Sequence, residues 1–101
     1  MLRPYKKFMF VGILTLELHL HDAYSLKEKR MVVNSMLDKI RGRFNVSAAQ
    51  IDDHDLWNRA TLAVAVVSND KVEANRVLNH VRDLSETELR CDIAQCRIEI
   101  I

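Results

Sequence analysis

Leu14, Leu16, Leu18 and Leu20 occupy every second position, and Thr15, Glu17, His19 and His21 fill the positions between them. Only an extended chain sends alternate side chains to opposite sides, so residues 8 to 21 read as a strand with one apolar and one polar face. A sheet built on such a strand needs cover on one side only. Residues 60 to 68, Ala-Thr-Leu-Ala-Val-Ala-Val-Val-Ser, are apolar almost throughout and suit a strand at the centre of that sheet. Residues 89 to 101 alternate again through Ala94, Cys96, Ile98 and Ile100, whereas residues 45 to 51 give a weaker strand fitted to an edge.

Two helices complete the pattern. Ser25 followed by Glu28 matches a capping box, after which Val33, Met36, Leu37, Ile40 and Phe44 recur at helical spacing, with the helix ending near Arg43. Asp70 and Glu73 resemble a second helix start, followed by an apolar stripe of Ala74, Val77, Leu78, Val81 and Leu84. The order strand, helix, strand, strand, helix, strand predicts an α+β, ferredoxin-like βαββαβ fold. Its four-stranded antiparallel sheet has the order 4-1-3-2 and carries both helices on one face. At 101 residues, 49% hydrophobic and 29% charged, the chain reads as one domain over residues 1–101, with residues 1–7 a basic extension. The apolar stretch from Phe8 to Leu20 contains Glu17 and His19 and falls short of the roughly 20 residues that span a bilayer, so no membrane partner is expected. That stretch also lacks the small-residue cleavage site of a signal peptide. Cys91 and Cys96, five apart on an extended strand, fall about 16 Å apart on opposite faces and are expected as free thiols in a reducing, cytoplasmic setting.

The net charge is only +1, but residues 25 to 45 hold six basic side chains against Glu28 and Asp38. In Ser25-Leu26-Lys27-Glu28-Lys29-Arg30 three cations crowd a helix start, where the helix dipole disfavours them. Lys27, Arg30, Asn34 and Arg41 share one flank of the buried stripe and form a candidate basic ridge. Lys27, Lys29, Arg30 and Arg41 are therefore the expected phosphate contacts, Lys29 being the weakest because it can also cover the end of the sheet. A solvated charged face is the plainer alternative. Trp57, in the acidic loop of residues 52 to 58, can stack on a base or anchor a partner, although a lone Trp beside Leu56 favours closing the core. The polar side of the first and last strands, Thr15, Glu17, His19, Gln95, Arg97 and Glu99, is a candidate homodimer or partner surface, with Glu17, His19, Trp57 and Arg97 its leading members.

Signals for chemistry are weak. His19, His21 and His54 with Asp52, Asp53 and Asp55 lack the ligand spacing of zinc motifs, so no metal is expected. No phosphate-cradling glycine loop or nucleophile elbow is present, and no cofactor or catalytic residue is expected.

Several blocks occur together in order: Val11-Gly12-Ile13-Leu14, Leu16-Glu17-Leu18-His19, Ser25-Leu26-Lys27-Glu28-Lys29-Arg30, Arg43-Phe44-Asn45-Val46-Ser47, Asp55-Leu56-Trp57 and Val66-Val67-Ser68-Asn69-Asp70. With these blocks, residues 9 to 101 resemble the YlxP-like family of small bacterial proteins, a domain of unknown function. The resemblance implies a ferredoxin-like fold, the bacterial cytoplasm and, because such genes often lie among translation and ribosome-assembly genes, a ribosome-linked role. Together these readings predict a non-enzymatic accessory protein that binds RNA or a ribosomal subunit. The alternative is a homodimerising interaction module using the open face or edge of the sheet.

Overall fold

The computed structural model describes residues 8–101, so the basic extension at 1–7 lies outside the described residues. The elements are β1 (Phe10–His19), α1 (Leu26–Arg43), β2 (Ser47–Asp52), β3 (Arg59–Ser68), α2 (Lys71–Glu86) and β4 (Asp92–Ile100). The sheet order is β2-β3-β1-β4 with every neighbour antiparallel, which is the expected ferredoxin-like arrangement. Strands β1 and β3 lie at the centre because their inward rows are the most apolar: Leu14, Leu16, Leu18, Leu62 and Val64 are buried beneath the helices. From above, α1 contributes Val33, Met36, Leu37 and Ile40, and α2 contributes Ala74, Leu78 and Val81. Gly12 permits the close approach of α2, since a Cβ there would stand 2.8 Å from Leu78 Cδ1.

Both helix starts are capped by side chains. Ser25 Oγ accepts from the Glu28 N–H at 3.1 Å, and Asp70 Oδ1 accepts from the Val72 N–H at 3.0 Å. Glu73 does not complete a capping box; it pairs with Arg76 instead.

β4 departs from simple alternation. Its register against β1 shifts between Glu17 and Leu18, so that Glu17 faces Gln95 while Leu18 faces Ile93. Ala94 is the extra residue of a bulge, and Ile93 takes the inward place expected for Ala94. The bulge also reverses the relation of the cysteines. Cys91 meets Met36 of α1 at 3.7 Å, and Cys96 stands opposite the buried Leu16, so both lie on the helix side. They remain free thiols, Cys91 buried and Cys96 exposed. Burial, reinforced by Glu88 and Asp92, pushes the Cys91 thiol up to about 11, which keeps it inert at neutral pH.

Candidate functional site

The start of α1 is built by its cap. Glu28 folds back so that its Oε2 accepts from the Tyr24 N–H at 2.8 Å, which commits this carboxylate to the backbone. Lys27 and Arg30 stand exposed on the adjoining surface and make no ion pair or side-chain hydrogen bond among the described residues. Two uncompensated cations therefore sit at the positive end of the helix dipole. Folding alone gains nothing from that placement.

Two members of the expected ridge serve other ends. Lys29 is 1% exposed, because it precedes Val33, Met36 and Ile40 by the spacings that put residues on one helical stripe. Its ammonium shares its three N–H groups among the carbonyls of Asp53 at 2.6 Å, Arg59 at 3.1 Å and His54 at 3.3 Å, and that of Leu56. Burial lowers its pKa, an effect opposed by the nearby Asp53 carboxylate. Lys29 is thus the peg around which the β2–β3 connection folds, and it cannot reach a phosphate. Arg41 caps the Ala48 carbonyl on the outer edge of β2 at 2.5 Å and lies 3.8 Å from Asp38. It guards a sheet edge in the last turn of α1, which leaves Lys27 and Arg30 as the uncommitted cations of the helix start.

Lys29 also places Trp57, which the connection carries between two carbonyls bound to the peg. Trp57 is 45% exposed, so it does not close the core as expected. Its ring stacks on Tyr24 with centroids 6.4 Å apart and planes inclined by 25°. Tyr24, 76% exposed, adjoins the helix cap, and the aromatic pair shares one end of the molecule with Lys27 and Arg30. Tyr24 was the member that sequence alone did not mark. The only available sign was an aromatic residue immediately ahead of a capping Ser.

The face of the sheet away from the helices has two zones. Val11, Ile13, Ala63, Ala65 and Val67 make an apolar zone, and Glu17, His19, Arg59, Gln95 and Arg97 make a polar one. A concavity of about 470 Å³, lined by Glu17, His19, Asp53, Arg59, Ala94 and Gln95, opens where the β4 bulge splays the sheet. The Asp53 carboxylate accepts from the Thr61 hydroxyl at 2.8 Å. His21 lies beyond the end of β1, 3.2 Å from Asp92, with its ring centroid 6.5 Å from that of His19. No group of three or more metal-binding side chains gathers among the described residues. No helix there is long and apolar enough to cross a membrane.

A family model described as a protein of unknown function (DUF503) matches residues 11–98. The uncharacterized protein YlxP of Bacillus subtilis (strain 168) is 37% identical over 71 residues, spanning 70% of this chain and 77% of that protein. Among solved structures, a variant of SnoaB, a cofactor-independent oxygenase from Streptomyces nogalater, superposes with a TM-score of 0.50 at 10% identity. That match covers 91% of this chain and 90% of SnoaB. A dimeric ferredoxin-like protein of unknown function from Thermobifida fusca matches with a TM-score of 0.49 at 11% identity, covering 98% of this chain and 95% of that one. At these identities the likeness to solved structures is one of fold alone.

Proposed function

We propose, from the premise that this chain belongs to the DUF503 family of proteins of unknown function, that it is a non-enzymatic accessory protein that binds single-stranded RNA. Lys27 and Arg30 contact phosphates, and the Tyr24–Trp57 pair receives a base. The carrying observation is that two unpaired cations occupy the first turns of α1, directly after the exposed Tyr24 that stacks on Trp57. Charge that tracks a backbone and rings that accept any base face are the two components of sequence-tolerant single-strand binding. Ribosomal RNA is the partner class favoured by the resemblance to YlxP-like proteins. Binding rather than catalysis is favoured because the polar concavity opens to solvent on the face of a sheet.

The test is binding of the full chain to single-stranded RNA and to ribosomal subunits across a salt series, beside a Lys27→Glu, Arg30→Glu double variant and Trp57→Ala. Loss of two phosphate contacts should reduce the slope of log affinity against log salt by about 1.4. Trp57→Ala should weaken binding by about 1–3 kcal/mol while leaving that slope unchanged. Absence of binding by the wild-type chain, or equal binding by the double variant, rejects the proposal.

A second reading has its own support. The open face, four strands wide and up to ten residues long, spans about 19 by 30 Å, so two such faces together approach the roughly 1,200 Å² at the lower bound of stable interfaces. Its apolar zone beside mixed charges from Glu17, His19 and Arg97 suits a second copy of this chain. Ile13→Lys, at the middle of the apolar zone, should abolish association of that kind, read by sedimentation equilibrium.

A further inference from the structure

The two edges of the sheet are treated differently. β2 is short, its Ala48 carbonyl is capped by Arg41, and its register breaks between Gln50 and Asp52. These are devices that stop another strand from adding. β4 has no such protection over Gln95–Ile100, where its register against β1 runs without interruption.

The hydrogen-bond phase of that stretch is fixed. Val11 and Ile101 exchange both backbone bonds, N to O, at 2.8 and 2.9 Å. Bonded and non-bonded pairs alternate along an antiparallel ladder, so Glu99, Arg97 and Gln95 also bond inward to β1. Ile100, Ile98 and Cys96 therefore point their N–H and C=O groups outward, away from the sheet. On the helix side, Cys96 is exposed and Ile98 and Ile100 are only half-buried. On the open side, Arg97 and Glu99 lie 3.2 Å apart.

We infer that this edge pairs with the same edge of a second copy, antiparallel about a two-fold axis through Ile98, to make one continuous eight-stranded sheet. Charge selects the register. Centring the axis on Arg97 or on Glu99 sets like charges directly opposite each other, which destabilises a strand pair. Centring it on Cys96 runs Ile98 into the bulge at Ala94, and centring it on Ile100 carries Arg97 past the last residue of the partner's β4. With the axis at Ile98, Arg97 faces the partner's Glu99 and Glu99 faces the partner's Arg97. Ile98 then exchanges backbone bonds with the partner's Ile98, and Cys96 does so with the partner's Ile100. The outward backbone groups, the half-buried apolar row and both charges are satisfied by a single register. This surface is the β4 edge; it shares Arg97 and Glu99 with the margin of the open face, does not include Ile13, and lies away from the start of α1.

The experiment is sedimentation equilibrium of the full chain over micromolar to millimolar concentrations, with the variants Arg97→Glu, Glu99→Arg and Ile13→Lys. The wild-type chain should be dimeric. Each single charge variant should raise the dimer dissociation constant by about ten- to a hundredfold, because both cross-strand contacts become repulsive. An equimolar mixture of Arg97→Glu and Glu99→Arg should restore dimers at wild-type concentrations, since only the mixed pair brings opposite charges together twice. Ile13→Lys should leave dimerisation unchanged. Alkylation of Cys96 should slow as dimer forms, in parallel with mass. A monomeric wild-type chain throughout the range overturns the inference. So does a mixture that fails to re-associate, or a dimer lost in Ile13→Lys and kept in Arg97→Glu. Because Lys27, Arg30 and Trp57 lie elsewhere, failure here leaves the RNA-binding result to be judged separately.

Discussion

A single buried ammonium organises one end of this molecule. Lys29 satisfies carbonyls at Asp53, His54, Leu56 and Arg59 that no regular ladder serves, and it holds the loop bearing Trp57 against the start of α1. Removing the donor while keeping the stem takes the ammonium from the part-buried carbonyls of His54, Leu56 and Arg59, while the Asp53 carbonyl keeps the Leu56 N–H. Lys29→Met is therefore expected to destabilise the fold by about 1–3 kcal/mol, measured by urea titration. Loosening of the loop should also shift Trp57 fluorescence to the red at denaturant concentrations below the main transition. This arrangement was partly legible in the sequence. The spacing of Lys29 to Val33, Met36 and Ile40 announces an inward position, yet the positive charge invites an outward reading, and only the location of the carbonyls decides between them. Trp57 misled for a related reason: its partner, Tyr24, is distant in sequence and brought close by the peg.

At the scale of elements, the connection from α2 to β4 depends on a compact ion pair. The Glu88 side chain is 8% exposed and meets the Arg90 guanidinium through both carboxylate oxygens, each contact at 2.8 Å. It also accepts from the Arg90 backbone N–H at 3.0 Å. The hydrogen bonds from Arg90 hold the Glu88 carboxyl down to about 2, below its ordinary 4.5. A carboxylate depressed in this way adds stability that is fully present above about pH 4.5 and disappears as the pH falls toward 2. Because Arg90 is exposed to water, the contribution is discounted to roughly 1–2 kcal/mol. Glu88→Gln should lower neutral-pH stability by that amount and flatten the acid limb of stability against pH, as read by thermal melts at a series of pH values. The existence and type of all six elements could be read from periodicity and caps, since burial of one face imposes period two on strands and about 3.6 on helices. The bulge at Ala94 could not, because one extra residue leaves no compositional trace when its neighbours are Ile93 and Gln95. Missing it sends Ala94 inward and places the two cysteines on opposite faces.

For the whole molecule, what positions function is less the fold than the places left unfinished by it. The paired helices cover one face, and the other side, the two sheet edges and the helix start remain to be explained. Sequence composition marked the basic helix start but counted Lys29 among its outward cations, although that ammonium is buried and held by carbonyls; Arg41, grouped with them, lies in the last turn of α1 on a sheet-edge carbonyl. Edge chemistry was hidden, since which backbone groups point outward depends on ladder phase rather than residue type. The difference between those edges carries a consequence for assembly size. Pairing through β4 leaves β2 at both ends of the enlarged sheet, and there Arg41 and the broken register refuse another strand. Growth thus terminates at its first step, giving a closed pair rather than a fibril. With the open face silenced by Ile13→Lys, raising the concentration should carry the sedimentation mass to twice that of one chain and no further, whereas adding Arg41→Ala should permit higher assemblies by uncovering a second point of growth.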